Sequence, residues 1–486
     1  MARWMMNICG ILSLSLLITS IVLLVVHTFM EMVETEVKKV TVLKNGTEAY
    51  NAWVDPPPPI YMKFYFFNVT NPLEVLDGEK PVVDEIGPYV YREYRPKENI
   101  EFLENGTEVS AVTPKTYVFE ADLSKGNPMT DFVRTVNIPV VTLLEKVLKS
   151  KIAGILRPII EAALKTYNEG MFTTRTVHEM LWGYKDPLLT LVHKVDSSVD
   201  EMFGLFYNMN TTNDGTYVFL SGSKEYKDFT QIVEWNGKRN LSWWTSDRCN
   251  MINGTDGTSF HPLINKDDII YMFSSDLCRS LYAVYNSTKT VKEIAAFRFI
   301  PPAKVFANVT INPDNAGFCV PAGNCLPSGL LNVSECKQGA PIILSSPHFY
   351  QADESIVKSI EGISPNQDDH ETFMDINPLT GILLRAAKRM QVNVHVRQIP
   401  TFSTTKNIQT LYFPVMHLSE TALIDDESSE KLRTVLLKAR LVANIPFIIM
   451  GLGILLGIIY IIMICRPHRT MEEGTEDESG PLLRTS

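Results

Sequence analysis

The sequence predicts a mainly β protein with some α, in which one large domain is held between two transmembrane helices. Three observations carry that expectation. Two long uncharged apolar runs stand near the ends of the chain, runs of β-branched and aromatic residues fill the middle, and every N-linked glycosylation acceptor falls between the apolar runs.

The first apolar run extends from Met5 to Met30 without Lys, Arg, Asp or Glu. As a helix it rises roughly 39 Å, enough to cross the roughly 30 Å hydrocarbon core with some tilt. A cleaved signal peptide has a shorter apolar core and ends in a small-residue cleavage site. Here Ile21-Val22-Leu23-Leu24-Val25-Val26 continues without one, so residues 5–30 read as an uncleaved signal-anchor.

The second run, Leu441 to Cys465, is also uncharged and stops at Arg466-Pro467-His468-Arg469. Cationic residues collect on the cytosolic side, which assigns residues 466–486 to the cytosol. Arg3 assigns residues 1–4 to the same side, while Glu31, Glu34 and Glu36 follow the first span on the other. Gly453 and Gly457 form a small-xxx-small pair that lets two helices pack closely and leaves a homodimer open. Glycine is common in membrane helices, so a pair with no special role is the preferred reading.

Residues 31–440 are then lumenal. The N-x-[ST] pattern occurs at Asn45, Asn68, Asn105, Asn210, Asn240, Asn253, Asn286, Asn308 and Asn332, all within that segment. N-linked glycans are therefore expected. Five cysteines share the segment (Cys249, Cys278, Cys319, Cys325 and Cys336), and an oxidising compartment makes disulfides the default, with an odd thiol left over. No paired CxxC and no histidine at ligand spacing supports a zinc site. Cys9 and Cys465 sit in or beside the spans.

Strands are expected at Ile60 to Thr70, Tyr89 to Tyr94, around Tyr117, at Tyr217 to Phe219 and at Leu411 to Val415. Val392 to Arg397 alternates apolar and polar residues as a half-buried strand does. Residues 138–167 differ. Apolar Ile152, Ile155, Leu156, Ile159, Ile160, Ala163, Leu164 and Tyr167 recur at helical spacing, among Lys146, Lys149, Lys151, Arg157 and Lys165. Pro158 is expected to kink this helix or start a second one, and a further helical piece follows around Val177 to Val195. Core packing explains such a stripe; a helical insert in a β domain is also a place to present a partner-binding face.

The net charge of −10 argues against a nucleic-acid partner. No G-x-S-x-G elbow, H-E-x-x-H, Walker loop or EF-hand loop occurs, so a lumenal hydrolase built on a carboxylate pair is the enzyme-class alternative and a non-enzyme is expected.

Several long motifs resemble the class B scavenger receptors. They are Phe64-Tyr65-Phe66-Phe67-Asn68-Val69-Thr70-Asn71-Pro72, Gly87-Pro88-Tyr89-Val90-Tyr91-Arg92-Glu93 and Asp314-Asn315-Ala316-Gly317-Phe318-Cys319. Gly339-Ala340-Pro341-Ile342 through Ala352-Asp353, and Asp375-Ile376-Asn377-Pro378-Leu379-Thr380-Gly381, continue the family's order across essentially the whole chain. The tail Glu476-Asp477-Glu478-Ser479-Gly480-Pro481-Leu482-Leu483-Arg484 resembles the acidic dileucine sorting signal of the family's lysosomal branch, with Glu478, Leu482 and Leu483 as its determinants.

The resemblance implies an antiparallel β-barrel-like domain, a helical bundle at its membrane-distal apex and an internal apolar tunnel that carries sterol or phospholipid. It implies disulfides Cys278–Cys336 and Cys319–Cys325, with Cys249 free. It further implies that the apical helices (about 138–195; Ile152, Ile155, Leu156, Ile159, Ile160 and Leu164) bind β-glucocerebrosidase for delivery to lysosomes and late endosomes. Clathrin adaptors would read the tail from the cytosol. A plasma-membrane receptor for lipoproteins is the alternative. The histidine that the lysosomal branch uses for acid release matches Arg175 here, and His178, three residues on, is the candidate switch if that stretch is helical, with His193, His261, His348, His370, His395, His417 or groups on the cargo as the alternatives.

Overall fold

The computed structural model describes residues 2–151, 153–337 and 339–469. The chain divides into two compact units, one containing the stretch up to Lys39 with the stretch from Glu430 onward, the other formed by Val40–Ser429.

In the first unit, helix α1 (Ala2–Val25) is followed by α2 (Thr28–Val40), and α7 (Asp426–Ala443) by α8 (Ile445–Arg469). Trp4–Val25 and Ile445–Cys465 are long and apolar enough to cross a membrane. His27, with φ 53°, separates α1 from α2, so Thr28 to Met30 of the uncharged run belong to the second helix. Likewise Asn444 separates Leu441 to Ala443 from α8. Helices α1 and α8 pack on small residues. Ser13 Oγ donates to the carbonyl of Gly453 at 2.8 Å, and a Cβ on Gly10 would stand 3.0 Å from the Tyr460 ring. Both Gly453 and Gly457 face α1 of the same chain, against Leu17 and Ser13 respectively.

The second unit is built on an antiparallel sheet with 11 strands. In chain order these are β1 (Ile60–Val69), β2 (Val83–Tyr94), β3 (Thr116–Phe119), β4 (Ile270–Ser274), β5 (Arg279–Val291) and β6 (Ile294–Ile300). Then come β7 (Leu331–Asn332), β8 (Ile342–Ser345), β9 (Phe373–Ile376), β10 (Leu383–Val396) and β11 (Leu411–Leu423). Their order is β4-β5-β6-β9-β10-β11-β1-β2-β3, with β8 joining β10 to β7. Among the described residues this path does not close, which corrects the barrel-like expectation to an open sheet.

Strand β1 is central, pairing with β11 (Ile60 opposite Ala422, Phe66 opposite Met416) and with β2 (Ile60 opposite Glu93, Val69 opposite Val83). Its aromatic run supplies Phe64, Phe66 and Phe67, all fully buried. The β1–β2 register shifts between Phe64 and Phe66, and Gly87 lies across that bulge. A Cβ there would stand 2.7 Å from the Phe64 carbonyl, and its φ of 128° disfavours any side chain. Strand β10 departs from simple alternation, because Gln391 and Asn393 are wholly buried. Their amides bond to each other and to Ser345 and the Ile343 carbonyl, and Gln391 Oε1 accepts the amide of His348.

A separate sheet orders Ile232–Trp235, Thr216–Leu220, Glu108–Val112 and Glu98–Leu103. The helical segment follows the hairpin strand Phe132–Val136. Asn137 caps α3 (Ile138–Lys149), its Oδ1 accepting the Val140 amide. After a break comes α4 (Ala153–Thr166), with Pro158 inside it rather than at its start. The expected piece at 177–195 is two short helices, α5 (Val177–Trp182) and α6 (Pro187–His193), divided by the strand Tyr184–Lys185.

Candidate ligand cavity and helical docking face

The stripe on α4 is divided between core and surface. Ile160, Ala163 and Leu164 pack with Val140, Leu144 and Val147 of α3, Leu188 of α6, and Ile399 and Phe402, with Leu156 at the edge of that cluster. Ile155 and Ile159 point away and are 65% and 55% exposed. Ile152 lies outside the described residues. Of the expected binding positions, then, two are surface and three are core or core edge. The exposed pair lies on the helix that also carries exposed Arg157 and Lys165. Burial of one face and exposure of two isoleucines on the other is what a docking helix requires, although Tyr167, 42% exposed, widens the apolar surface beyond the expected set.

The helices are rooted by charged side chains. Glu169 accepts from Asn137 Nδ2 at 2.7 Å and from Arg175 Nη2 at 3.4 Å, while Arg175 lies over the Tyr184 ring at 4.6 Å. Burial pushes the Glu169 carboxyl up, and Asp186 nearby adds to that. Arg175 is on the hairpin strand Phe172–Thr176, and Thr176 caps the helix that contains His178. The two residues therefore do not share a helix face, which corrects the condition on which His178 was to replace Arg175. The capping box formed by Thr176 and Glu179 starts a new helix between them. His178 itself is partly buried on α5, and its amide donates to the Pro128 carbonyl at 2.8 Å.

Three other histidines meet where sequence reasoning did not place a site. His348 Nε2 and His417 Nε2 both lie on Glu85 Oε2, at 2.6 and 2.8 Å, and His370 stacks on His348 at 4.5 Å. Glu85, His348 and His417 offer three ligand atoms within 4.8 Å of one another. A histidine ligand normally donates its other ring N–H to an acceptor. His348 Nδ1 instead accepts the Ser364 amide at 3.0 Å, which puts its proton on Nε2, towards Glu85. The trio therefore fits a carboxylate receiving two N–H donors better than it fits a metal ion.

The same bonding resists acid. His370 Nδ1 accepts the Asn366 amide, and His417 Nδ1 is buried without a partner among the described residues. Burial, with His348 beside it, holds His370 down at about 4, and burial lowers His417 as well. Burial works against the Glu85 charge, but the two imidazole N–H groups outweigh it and hold the carboxyl well below its ordinary range.

The Val40–Ser429 unit contains a cavity of about 220 Å³. Its apolar wall includes Phe219, Met272, Phe273, Phe306, Met374 and Met390. A band of charge crosses it. Arg95 meets Glu420 at 2.7 Å, Lys97 meets Asp256 at 2.9 Å, and Lys388 meets Asp276 at 2.7 Å. Lys388 holds the Asp276 carboxyl far below its usual range. Burial opposes the Glu420 charge, yet Arg95 and Lys388 hold it down at about 2. Beside the band, burial pushes the Glu93 carboxyl up.

The disulfides are Cys278–Cys336 and Cys319–Cys325, and Cys249 is buried with a free thiol. All nine sequon asparagines lie in the Val40–Ser429 unit and none is buried. Glu478, Leu482 and Leu483 lie outside the described residues.

The CD36 family model matches residues 11–464. Lysosome membrane protein 2 of Homo sapiens is 54% identical over 485 residues, and that of Mus musculus 53%, each covering 100% of both chains. Scavenger receptor class B member 1 of Bos taurus is 34% identical over 458 residues, 91% of this chain and 88% of the relative.

Proposed function

Because this chain belongs to the CD36 family, the class B scavenger receptors, we propose that it is a non-enzymatic receptor of the lysosomal membrane that binds an acid hydrolase and carries lipid. The protein crosses the membrane twice, with both termini cytosolic. Its cargo is β-glucocerebrosidase, taken up at near-neutral pH and released in acid. Sterol or phospholipid occupies the lumenal cavity on its way through a tunnel. Adaptors read Glu478, Leu482 and Leu483.

The observation that carries the cargo reading is the exposed pair Ile155 and Ile159 on a helix whose other face is firmly packed. Two exposed isoleucines on an anchored, basic helix gain from being covered, and a partner's apolar groove covers them. The lysosomal reading is preferred over a plasma-membrane lipoprotein receptor on relative similarity, 54% against 34% identity.

The test is capture of β-glucocerebrosidase at pH 7.2 by the full-length protein in detergent, with Ile155→Asp/Ile159→Asp as control. Capture by wild type and loss in the variant supports the reading. Equal capture by both, or none by either, removes it.

A further inference from the structure

We infer that Lys115 selects the lipid that enters the cavity, admitting amphiphiles whose head group offers an acceptor oxygen without net negative charge and rejecting headless esters. The inference rests on the lipid reading of the cavity and adds its specificity.

The cavity lining contains five cations (Arg95, Lys97, Lys115, Lys388 and Arg389) and five carboxylates (Asp214, Asp256, Asp276, Glu371 and Glu420). Most are already engaged with one another. Arg95, Lys97 and Lys388 are in the ion pairs given above. Arg389 Nη1 donates to the carbonyls of Asp368 and Glu371 at 2.9 and 2.6 Å. Asp214 accepts from the Tyr217 hydroxyl at 2.5 Å and also from Ser275. Lys115 is left over. Lys115 lines the cavity, and its ammonium makes no hydrogen bond or ion pair among the described residues. Asp276, Glu93, Asp214 and Glu420 surround it at longer range, and together they keep it charged against its burial.

Water satisfies such an ammonium until a lipid displaces it. A purely apolar ester would strip that water and offer only weak acceptors buried between two apolar moieties, whereas a phosphodiester or hydroxyl oxygen restores the bond. The numbers of cations and carboxylates are equal, so a net anion would bring an uncompensated charge into a desolvated space. A zwitterionic or uncharged head fits on both counts, with the chain against Phe219, Phe273 and Met390.

The experiment uses the full-length protein in detergent and three fluorescent probes: a lysophosphatidylcholine, a long-chain fatty acid and a cholesteryl ester. Wild type should bind the zwitterion at least about tenfold more tightly than either of the others. Lys115→Met should remove most of that preference, weakening the zwitterion about tenfold while leaving or improving the ester, and Lys115→Arg should restore it. An ester or fatty acid bound as tightly as the zwitterion by wild type overturns the inference. So does a preference that survives Lys115→Met, with the cavity reading left standing. If no probe binds wild type at all, the cavity reading falls first and this inference with it.

Discussion

Arg397, just past the end of β10, and Glu145, on α3, are joined by two parallel hydrogen bonds, Nε donating to Oε1 at 2.6 Å and Nη2 to Oε2. Their separation of 252 residues makes this pair a tie between α3 and the central sheet. Glu145 is buried, whereas the Arg397 side chain is 41% exposed. Removing the arginine strands a buried carboxylate. Arg397→Met should therefore cost about 2 kcal/mol, less than for a fully buried pair because solvent screens the exposed partner. Glu145→Leu combined with Arg397→Met should recover much of that loss. Denaturant unfolding of the three proteins ranks them, and a double variant no better than Arg397→Met contradicts the argument.

The divided stripe on α4 separates binding from stability. Leu164→Ala empties a packed site shared with α3 and α6 and should cost about 2–4 kcal/mol. Ile159→Ala alters a side chain already 55% exposed and should change stability by no more than about 0.5 kcal/mol. Only the second should weaken hydrolase capture without lowering the melting temperature. Similar melting temperatures for the two variants would show that the assignment of faces is wrong.

The buried histidines give the domain a pH dependence of known sign. An imidazole held neutral by the fold contributes stability above its ordinary value near 6.5 and loses it as pH falls towards the folded value. For His370 that folded value is about 4, so the loss falls between roughly pH 6.5 and 4. Glu85 is depressed instead, so its contribution is intact above its ordinary 4.5 and is lost only in stronger acid. Between pH 7 and pH 5 the histidine effect dominates, and wild type should lose about 1–2 kcal/mol from His370. His370→Gln should flatten the change in melting temperature over that interval. An unchanged slope would assign it elsewhere.

The two disulfides should differ in worth. In the chain-entropy account stabilisation grows with the closed loop, and the separations are 58 residues for Cys278–Cys336 and 6 for Cys319–Cys325. Replacing both cysteines by serine should cost about 4 kcal/mol in the first case and about 2 in the second. Chemical denaturation of the two double variants tests the order, which a larger cost for the short loop would reverse.

What the sequence made legible was local. The aromatic run at Phe64 to Phe67 announces β1 because strand propensity and burial agree there. The α4 periodicity announces a helix but not which isoleucines its neighbours cover, since Leu188 and Phe402 come from remote segments. Thr176 and Glu179 carry a readable capping box that separates Arg175 from the helix of His178. The Glu85 cluster leaves no such trace: its partners lie 263 and 332 residues away, and only the sheet brings them together. Buried Gln391 and Asn393 break the alternation that β10 otherwise shows, because each finds its polar partners only in the folded chain.

Acid release of cargo should depend on His178. His370 and His417 are poor sensors, since burial lowers both, His370 Nδ1 accepts a backbone amide and His417 Nδ1 is buried without a partner among the described residues. His348 Nδ1 is taken up by the Ser364 amide. His395 is stacked on Tyr412, and burial lowers it. His193 and His261 each donate from Nδ1 to a carbonyl, of Val199 and Pro262. His178 remains, partly exposed on α5, directly after the strand that carries Arg175. If cargo tolerates only the neutral imidazole, binding lowers the affinity of that ring for its proton. Binding is then favoured at high pH and lost as pH falls. Coupling to a single imidazole of reference pKa can change affinity by at most roughly 30-fold between pH 7.2 and pH 5, about 2 kcal/mol. Hydrolase affinity measured at both values should fall with acid for wild type and far less for His178→Gln, which cannot take up the proton. Full pH dependence in the variant would move the switch to the cargo or to another histidine, and none in wild type would end the proposal of acid release.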